Sequence, residues 1–354
     1  MNKKLSQIFA IAIIISMTLG IYSPSTSYAD TELETIEKIV EETAEYMLKN
    51  KEGFLDAWPV IGLARYERTD ITALTKDYLK ELKKELNEKK GMLTTNKYTD
   101  YSKAILALTA LGIDSQNIEG YNLVQNLSDM DKLTIQGING PAWALIALDS
   151  NDFTSPISKE ILINYILQKE KVGGGWSLSS DTADADITGM VLTSLAKYKD
   201  RTDIKPYIER GLSFLSNSQT SDGGFETLSA ENAESSAQVI LALTSLGVDP
   251  LKDQRFIKNG NNVIDNLIKN YYNKTGGFSH IKNSKTDKIA TEQAFYGLVS
   301  YLRFKEDKTP LFNMTDINIK AEDNEETNTQ IKNNPFKDID NDPERQAIVI
   351  WYNT

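Results

Sequence analysis

The 354-residue chain has no cysteine and a single histidine, His280. The first absence excludes disulfides, thiolate zinc sites and cysteine nucleophiles. The second leaves His280, which follows a Gly-Gly-Phe turn, without the partners a zinc site needs. Basic residues are scarce beside acidic ones, 39 Lys and Arg against 50 Asp and Glu, for a formal net charge of −11. That balance argues against nucleic acid and anionic membrane surfaces as partners. No stretch reads as a strand, and beyond the N-terminal segment no apolar run reaches the roughly 20 residues that span a bilayer. Without disulfides, a chain of this kind must be held by its core.

Residues 1–29 read as a secretory signal peptide. Lys3 and Lys4 precede an apolar run from Ile8 to about Leu19, and Ser27-Tyr28-Ala29 forms a cleavage site. Removing it takes away two lysines and no acid, so the mature charge falls to −13. The expected product begins at Asp30, is secreted or cell-surface associated, and has no membrane span after cleavage.

What the chain does have is a repeat. Ser221–Pro250 joins a Gly-Gly-Phe turn to a polar run and then to a helix so apolar all round that it must be buried on most faces. Similar turns recur at Gly173-Gly174-Gly175-Trp176 and Gly276-Gly277-Phe278. Apolar helices align as ILALTAL at 105–111, AWALIAL at 142–148, MVLTSL at 190–195, ILALTSL at 240–246 and FYGLVSY at 295–301, with a weaker copy, WPVIGLARY, at 58–66. Each interval has room for one more helix. Amphipathic patterns predict these outer helices at 32–49, 71–88, 117–129, 154–169, 203–217 and 253–271, with Thr31, Asp70, Ser155 and Asp203 as possible caps. Six helical hairpins can form an open solenoid or a closed ring. The uneven repeat lengths and the small residues of the inner helices favour a closed all-α (α/α)6 toroid of about twelve helices in two shells, over residues 30–306.

QTSDGGF at 219–225 and QKEKVGGGWSL at 168–178, with the helices that follow, resemble repeats of the terpenoid cyclase and protein prenyltransferase-like α/α-toroid superfamily. The cobalamin carriers and the complement thioester domains belong to it too, and the resemblance covers residues 31–306. The superfamily's chemistries can be tested on this chain. The prenyltransferase zinc site needs Asp, Cys and His, and the thioester needs Cys, so both are excluded. Class II cyclases use the middle acid of a DxDD motif. Here Asp184 and Asp186 of DADIT at 184–188 match its first two acids, and Ile187 replaces the last. Cobalamin carriers close over their ligand with a β-rich domain, which does not follow residue 306. Residues 307–333 read instead as an acidic linker, and 334–354 as a partial S-layer-homology-like segment, a possible link to cell-wall components.

The leucine register puts Ala57, Ser102, Asn139, Asp186, Ala237 and Glu292 at one level near the inner-helix starts, with Asp184, Gln238 and Gln293 beside them. On helix axes about 9 Å apart, Asp186 and Glu292 could come within water-bridged reach across a polar mouth. The alternative makes these side chains caps and buried hydrogen bonds. Trp176, with Phe225 and Phe278, either lines an aromatic pocket or pins its turn, and Gln168 and Gln219 are expected to bind carbonyls at preceding helix ends. Asp186, Glu292 and Asp184 are thus the candidate acids, and Ser102, Asn139, Gln238, Gln293 and Trp176 the candidate ligand contacts. No cofactor and no metal is expected.

Three functions fit. The first is an extracellular or cell-surface binding or scaffold module with an unidentified ligand in the toroid mouth. The second is an enzyme acting on an isoprenoid or a polysaccharide, and the third is a cobalamin-carrier relative working with a separate partner. A dry aromatic cavity favours the isoprenoid enzyme, a wide acidic groove the glycan enzyme, and a filled centre the scaffold. The signal reading has its own test: N-terminal sequencing of protein recovered outside the cell is expected to start at Asp30, and full-length chain retained in the cytoplasm would overturn it.

Overall fold

The computed structural model describes residues 26–320 apart from 155, 228 and 229. Among these residues the chain is mostly helical, with twelve α-helices and one two-stranded sheet. The helices are α1 (Thr26–Lys49), α2 (Ala57–Arg65), α3 (Thr72–Glu88), α4 (Thr99–Ala110), α5 (Met130–Leu133), α6 (Asn139–Asp149), α7 (Lys159–Gln168), α8 (Ala185–Leu195), α9 (Lys205–Ser218), α10 (Ala233–Leu246), α11 (Val263–Tyr271) and α12 (Lys288–Lys305). Among the described residues no helix is long and apolar enough to cross a membrane.

The even-numbered helices are central. Each packs against the next, and α12 packs against both α1 and α2. Leu108, Leu145, Leu192, Leu243 and Leu298, which share one place in the leucine register, are all fully buried. Small residues let the backbones approach: a Cβ added to Gly189 of α8 would stand 2.8 Å from the Gln238 carbonyl of α10. The odd-numbered helices bury one stripe each, as α3 does with Leu74, Leu82 and Leu86.

Three glycine-aromatic turns are built alike. The amides of Lys171, Thr220 and Asn273 donate to the carbonyls of Gly175, Gly224 and Gly277 at 2.9, 3.0 and 2.8 Å. Trp176, Phe225 and Phe278 are fully buried, and their carbonyls accept from Asp184, Asn232 and Asp287, the N-caps of α8, α10 and α12. In two copies the suture is doubled, because the Trp176 and Phe278 amides donate to the Thr188 and Thr291 hydroxyls at 2.9 Å. Gly276, at φ +100°, shows why glycine is needed: a Cβ there would stand 2.8 Å from the Glu42 carbonyl on α1. The last turn is thus pressed against the first helix, and the Tyr272 hydroxyl bonds the Glu42 carboxylate beside it.

Several outer elements depart from the periodic reading. No helix spans 117–129. Ile118 pairs with Tyr121 across Glu119-Gly120, both at positive φ, and a 3-10 turn at Val124–Ser128 leads to α5, capped by Asp129. The same device, Lys258 pairing with Asn261 across Asn259-Gly260, breaks the 253–271 pattern so that α11 starts only after its cap, Asn262. The helix expected at 154–169 starts at Lys159. Asp70 and Asp203 do not cap helices but bind Arg68 and Arg201, and Thr31 lies inside α1. Ser155 is outside the described residues. A two-residue hairpin, β1 (Glu226–Thr227) with β2 (Ala230–Glu231), stands where no strand was expected. The proposed cleavage point falls in the first turn of α1; residues 1–25 and the S-layer-like segment at 334–354 lie outside the described residues.

Residues 307–320, expected to open the linker, instead fold as a strap across the C-terminal ends of the central helices. Leu311, Phe312 and Met314 are buried. The Met314 amide donates to the Ser150 carbonyl at 2.6 Å and the Lys320 amide to the Gly112 carbonyl at 2.8 Å. Two arginines, each only 3% exposed, hold the strap. Arg65 donates to the Leu311 and Asn313 carbonyls and to both Asp316 oxygens, and Arg303 donates to the Thr309 carbonyl and to Asp316 Oδ2, all within 3.1 Å. Burial would raise the Asp316 pKa, but the two guanidinium groups outweigh it and hold it below the ordinary value. Asp316→Ala takes the shared carboxylate from two buried cations, leaving Arg65 none and Arg303 only Glu67 at 3.4 Å, and is expected to cost roughly 2–4 kcal/mol in urea denaturation. A loss under ~0.5 kcal/mol would show that the strap is not held by this pair.

Candidate functional site

The aligned N-terminal ends of the central helices enclose a pocket of about 200 Å³. Its polar wall brings together Asn139 of α6, Asp186 of α8, Gln238 of α10 and Gln293 of α12. Its apolar wall is made by Trp58, Trp143 and Tyr296 with Ile187 and Met190. Beneath it the space between the helices is filled by four rings. Trp58 and Trp143 have centroids 4.8 Å apart, Trp58 and Tyr296 5.8 Å, and Phe312 of the strap stands 5.6 Å from Trp143 and 6.3 Å from Tyr296. A second cavity, about 310 Å³, lies at the strap end with Phe312 in its wall.

The two acids of the DADIT segment have different tasks. Asp184 caps α8, its carboxylate accepting the Ile187 amide at 2.8 Å. Asp186, two residues on, accepts no hydrogen bond among the described residues. Burial, then the nearby charges of Asp184 and Glu234, push its carboxyl up to about 7. Glu292 is 4% exposed and does not line the pocket. Its carboxyl is also raised to about 7, first by burial, with Lys288 at 3.6 Å opposing the rise and Asp56 adding to it. Of the two expected acids, Asp186 lines the pocket and Glu292 does not, and the charges that act on each come from different neighbours. Tyr296, fully buried, feels both, and its pKa is driven far up, foremost by burial.

The remaining candidates divide the same way. The Gln238 amide nitrogen donates to Gln293 Oε1 at 3.0 Å and to the Tyr296 hydroxyl at 2.7 Å, while its Oε1, like Asn139 Oδ1, is buried with no hydrogen-bond partner. Ser102 is fully buried, its hydroxyl without a partner, and lies outside the pocket lining. Trp176 is a pin: its indole nitrogen donates to the Ile166 carbonyl at 2.9 Å, away from the pocket. Gln219 bonds the Gly223 and Phe256 carbonyls rather than a preceding helix end, and Gln168 is exposed.

Three features went unread in the sequence. Trp58 and Trp143 each follow an alanine near the start of a central helix, a pairing visible as Ala57-Trp58 and Ala142-Trp143. Glu234, in the first turn of α10, holds His280 Nδ1 at 2.9 Å, and burial raises its carboxyl despite that bond. Phe312 sat in a segment assigned to the linker. Among the described residues no group of three or more acidic or histidine side chains is placed to hold a metal ion. No model of a known protein family matches the chain, and no curated protein does.

The raised acid fixes a sign. The pKa of Asp186 in the fold, about 7, lies above that of an unfolded aspartate, so the folded state binds the extra proton. That contribution to stability is complete below about pH 4 and is lost as pH rises to about 7. Asparagine mimics the protonated acid. Asp186→Asn is therefore expected to gain on the order of 1–3 kcal/mol over the parent at pH 8, discounted for the solvent contact that Asp186 retains, and to match it near pH 4. Paired denaturation curves at the two pH values decide, and a variant less stable at pH 8 would mean the carboxylate is wanted in the fold.

Proposed function

We propose that the chain closes as an (α/α)6 toroid of the terpenoid cyclase and protein prenyltransferase-like kind, and that it works outside the cell or at its surface as a binding module whose recognition point is the pocket at the toroid mouth. Closure is supported by the packing of α12 on α1 and α2 and by the seat of Gly276 against α1. Export is supported by the signal-like segment at residues 1–29.

The observation that carries the reading is the filled centre. Trp58, Trp143, Tyr296 and Phe312 occupy the bore and leave a polar recess of about 200 Å³. Sites for drug-sized ligands run from roughly 300 to 1,000 Å³. A long isoprenoid needs a deeper cavity, a corrin ring a wider one, and a polysaccharide chain a groove. The recess suits one end of a ligand, held at the surface. An enzyme remains the second reading because Asp186 and Glu292, each raised to about 7, hold and release protons near neutral pH.

The secreted protein is expected to sediment with purified cell-wall material. That retention should fall about tenfold when Trp58→Ala and Asp186→Asn are combined, with circular dichroism confirming an intact fold. Retention indifferent to the double change would place binding elsewhere. Turnover of an isoprenoid diphosphate abolished by Asp186→Asn would favour the enzyme instead.

A further inference from the structure

The buried side-chain atoms of the pocket lining that lack a partner, Gln238 Oε1 and Asn139 Oδ1, are both acceptors, while Gln293 Nε2, Asn139 Nδ2 and the Tyr296 hydroxyl add donors at its wall. Gln238 is only 5% exposed, both protons of its amide nitrogen are spent on Gln293 and Tyr296, and its Oε1 has no donor. Asn139 Oδ1 has none either, and the Asp186 carboxylate accepts nothing from the described residues. Two buried acceptors without donors and the partly solvated Asp186 carboxylate thus share one small recess. An incoming anion or carbonyl would bring more acceptors, and a hydroxyl brings one donor with its own lone pairs. An ammonium group brings three donors and no acceptor.

Charge and aromatic surface point the same way. The groups acting on Asp186 are Asp184 on its own helix, Glu234 on α10 and the neutral phenol of Tyr296 on α12, so the local field repels anions. Trp58, Trp143 and Tyr296 offer the electron-rich faces that attract cations. The chain already uses one of them: Lys103 places its ammonium 5.8 Å from the centre of the Trp58 ring, on the side of a neighbouring groove.

We infer that the pocket recognises a primary ammonium group on a short apolar stem, its N–H donors taken by Asp186, Gln238 Oε1 and Asn139 Oδ1 and its stem lying on Trp58 and Trp143. The inference rests on the reading of the chain as a binding module and names the chemistry of its ligand. The recess of about 200 Å³ admits the head and a few carbons, so the amine comes either as a small free molecule or as the end of a lysine side chain on a larger one. A quaternary ammonium, which has charge but no N–H, leaves the acceptors unmet.

Calorimetric titration of the secreted protein at pH 8 with n-butylammonium chloride is the test, with tetramethylammonium, 1-butanol and butyrate as comparisons. Saturable binding of butylammonium is expected, about tenfold weaker binding of tetramethylammonium, and none of butanol or butyrate. Nα-acetyl-lysine amide separates the sources: affinity at or above that of butylammonium marks a lysine side chain, and much weaker affinity marks a free amine. Asp186→Asn should weaken butylammonium about tenfold, and Gln238→Met serves as a second variant should the first fold poorly. Butanol binding as well as butylammonium, or butylammonium binding untouched in both variants, would overturn the inference. If butylammonium fails to bind while wall retention still depends on Asp186 and Trp58, the ammonium chemistry is wrong and the binding module stands. If both fail, the module falls with it.

Discussion

The hydrogen bond from the Trp176 amide to the Thr188 hydroxyl, with its counterpart from Phe278 to Thr291, ties each turn to the first coil of a central helix and so sets the level at which that helix begins. The caps Asp184 and Asp287 lie inside the same sutures and cannot slide without breaking them. Asp186 and Glu292 then stand at fixed heights, two residues before one threonine and one after the other. In the copy between them the suture is looser. Ser236 bonds the carbonyl of its own cap, Asn232, and a small hairpin occupies the extra residues. Helix starts held level by short polar contacts are what allow polar side chains from four repeats to share one pocket with Trp58 of a fifth.

Within that frame two opposing forces act on each carboxyl. Free amides at a helix start favour the charged form, and burial opposes it. Burial raises both carboxyls, but the amide bond of Asp184 opposes the rise, whereas Asp186, only two residues on, gains none. The four packed rings, tilted or edge-on to one another, sharpen the difference by keeping two unlike spaces apart. The recess at the helix starts has Asp186 and two amide oxygens without donors, whereas the space at the helix ends carries Lys197 and Lys199 beside Thr193 and Ser194. One set of helices therefore presents an acidic, acceptor-rich end and a strapped, more basic one.

The inner helices were legible because burial on most faces leaves an unbroken apolar stretch, and the leucine register alone located five fully buried residues. The outer layer was harder to read. Ile118, Leu123, Val124 and Leu127 are buried at spacings that a helix would also give, and only Glu119-Gly120, which takes two positive φ values, marks the turn that replaces it. Among the site residues, Asn139, Asp186, Gln238 and Gln293 follow from register, because neighbouring helices of one pitch carry equal positions to equal heights. Which acid caps and which is buried does not follow from register, since that depends on rotation about the helix axis. Phe312 was out of reach altogether: its neighbours Thr309, Pro310 and Asn313 read as loop, and two of the rings it meets, Trp58 and Trp143, lie more than a hundred positions away.

The strap also orders events in time. Arg65 meets Asp316 across 251 residues, and the strap's other bonds reach Ser150 and Gly112. Contacts of such separation close long loops and are late, slow steps in folding. Because a chain is made from its N-terminus, the early hairpins must wait for the last segment before Phe312 can seat against Trp143 and the two arginines can find their carboxylate. Until residue 316 is available, Arg65 and Arg303 lack the Asp316 carboxylate that pairs with both in the finished fold. The final fourteen residues of the described chain are therefore what completes the core at the helix ends.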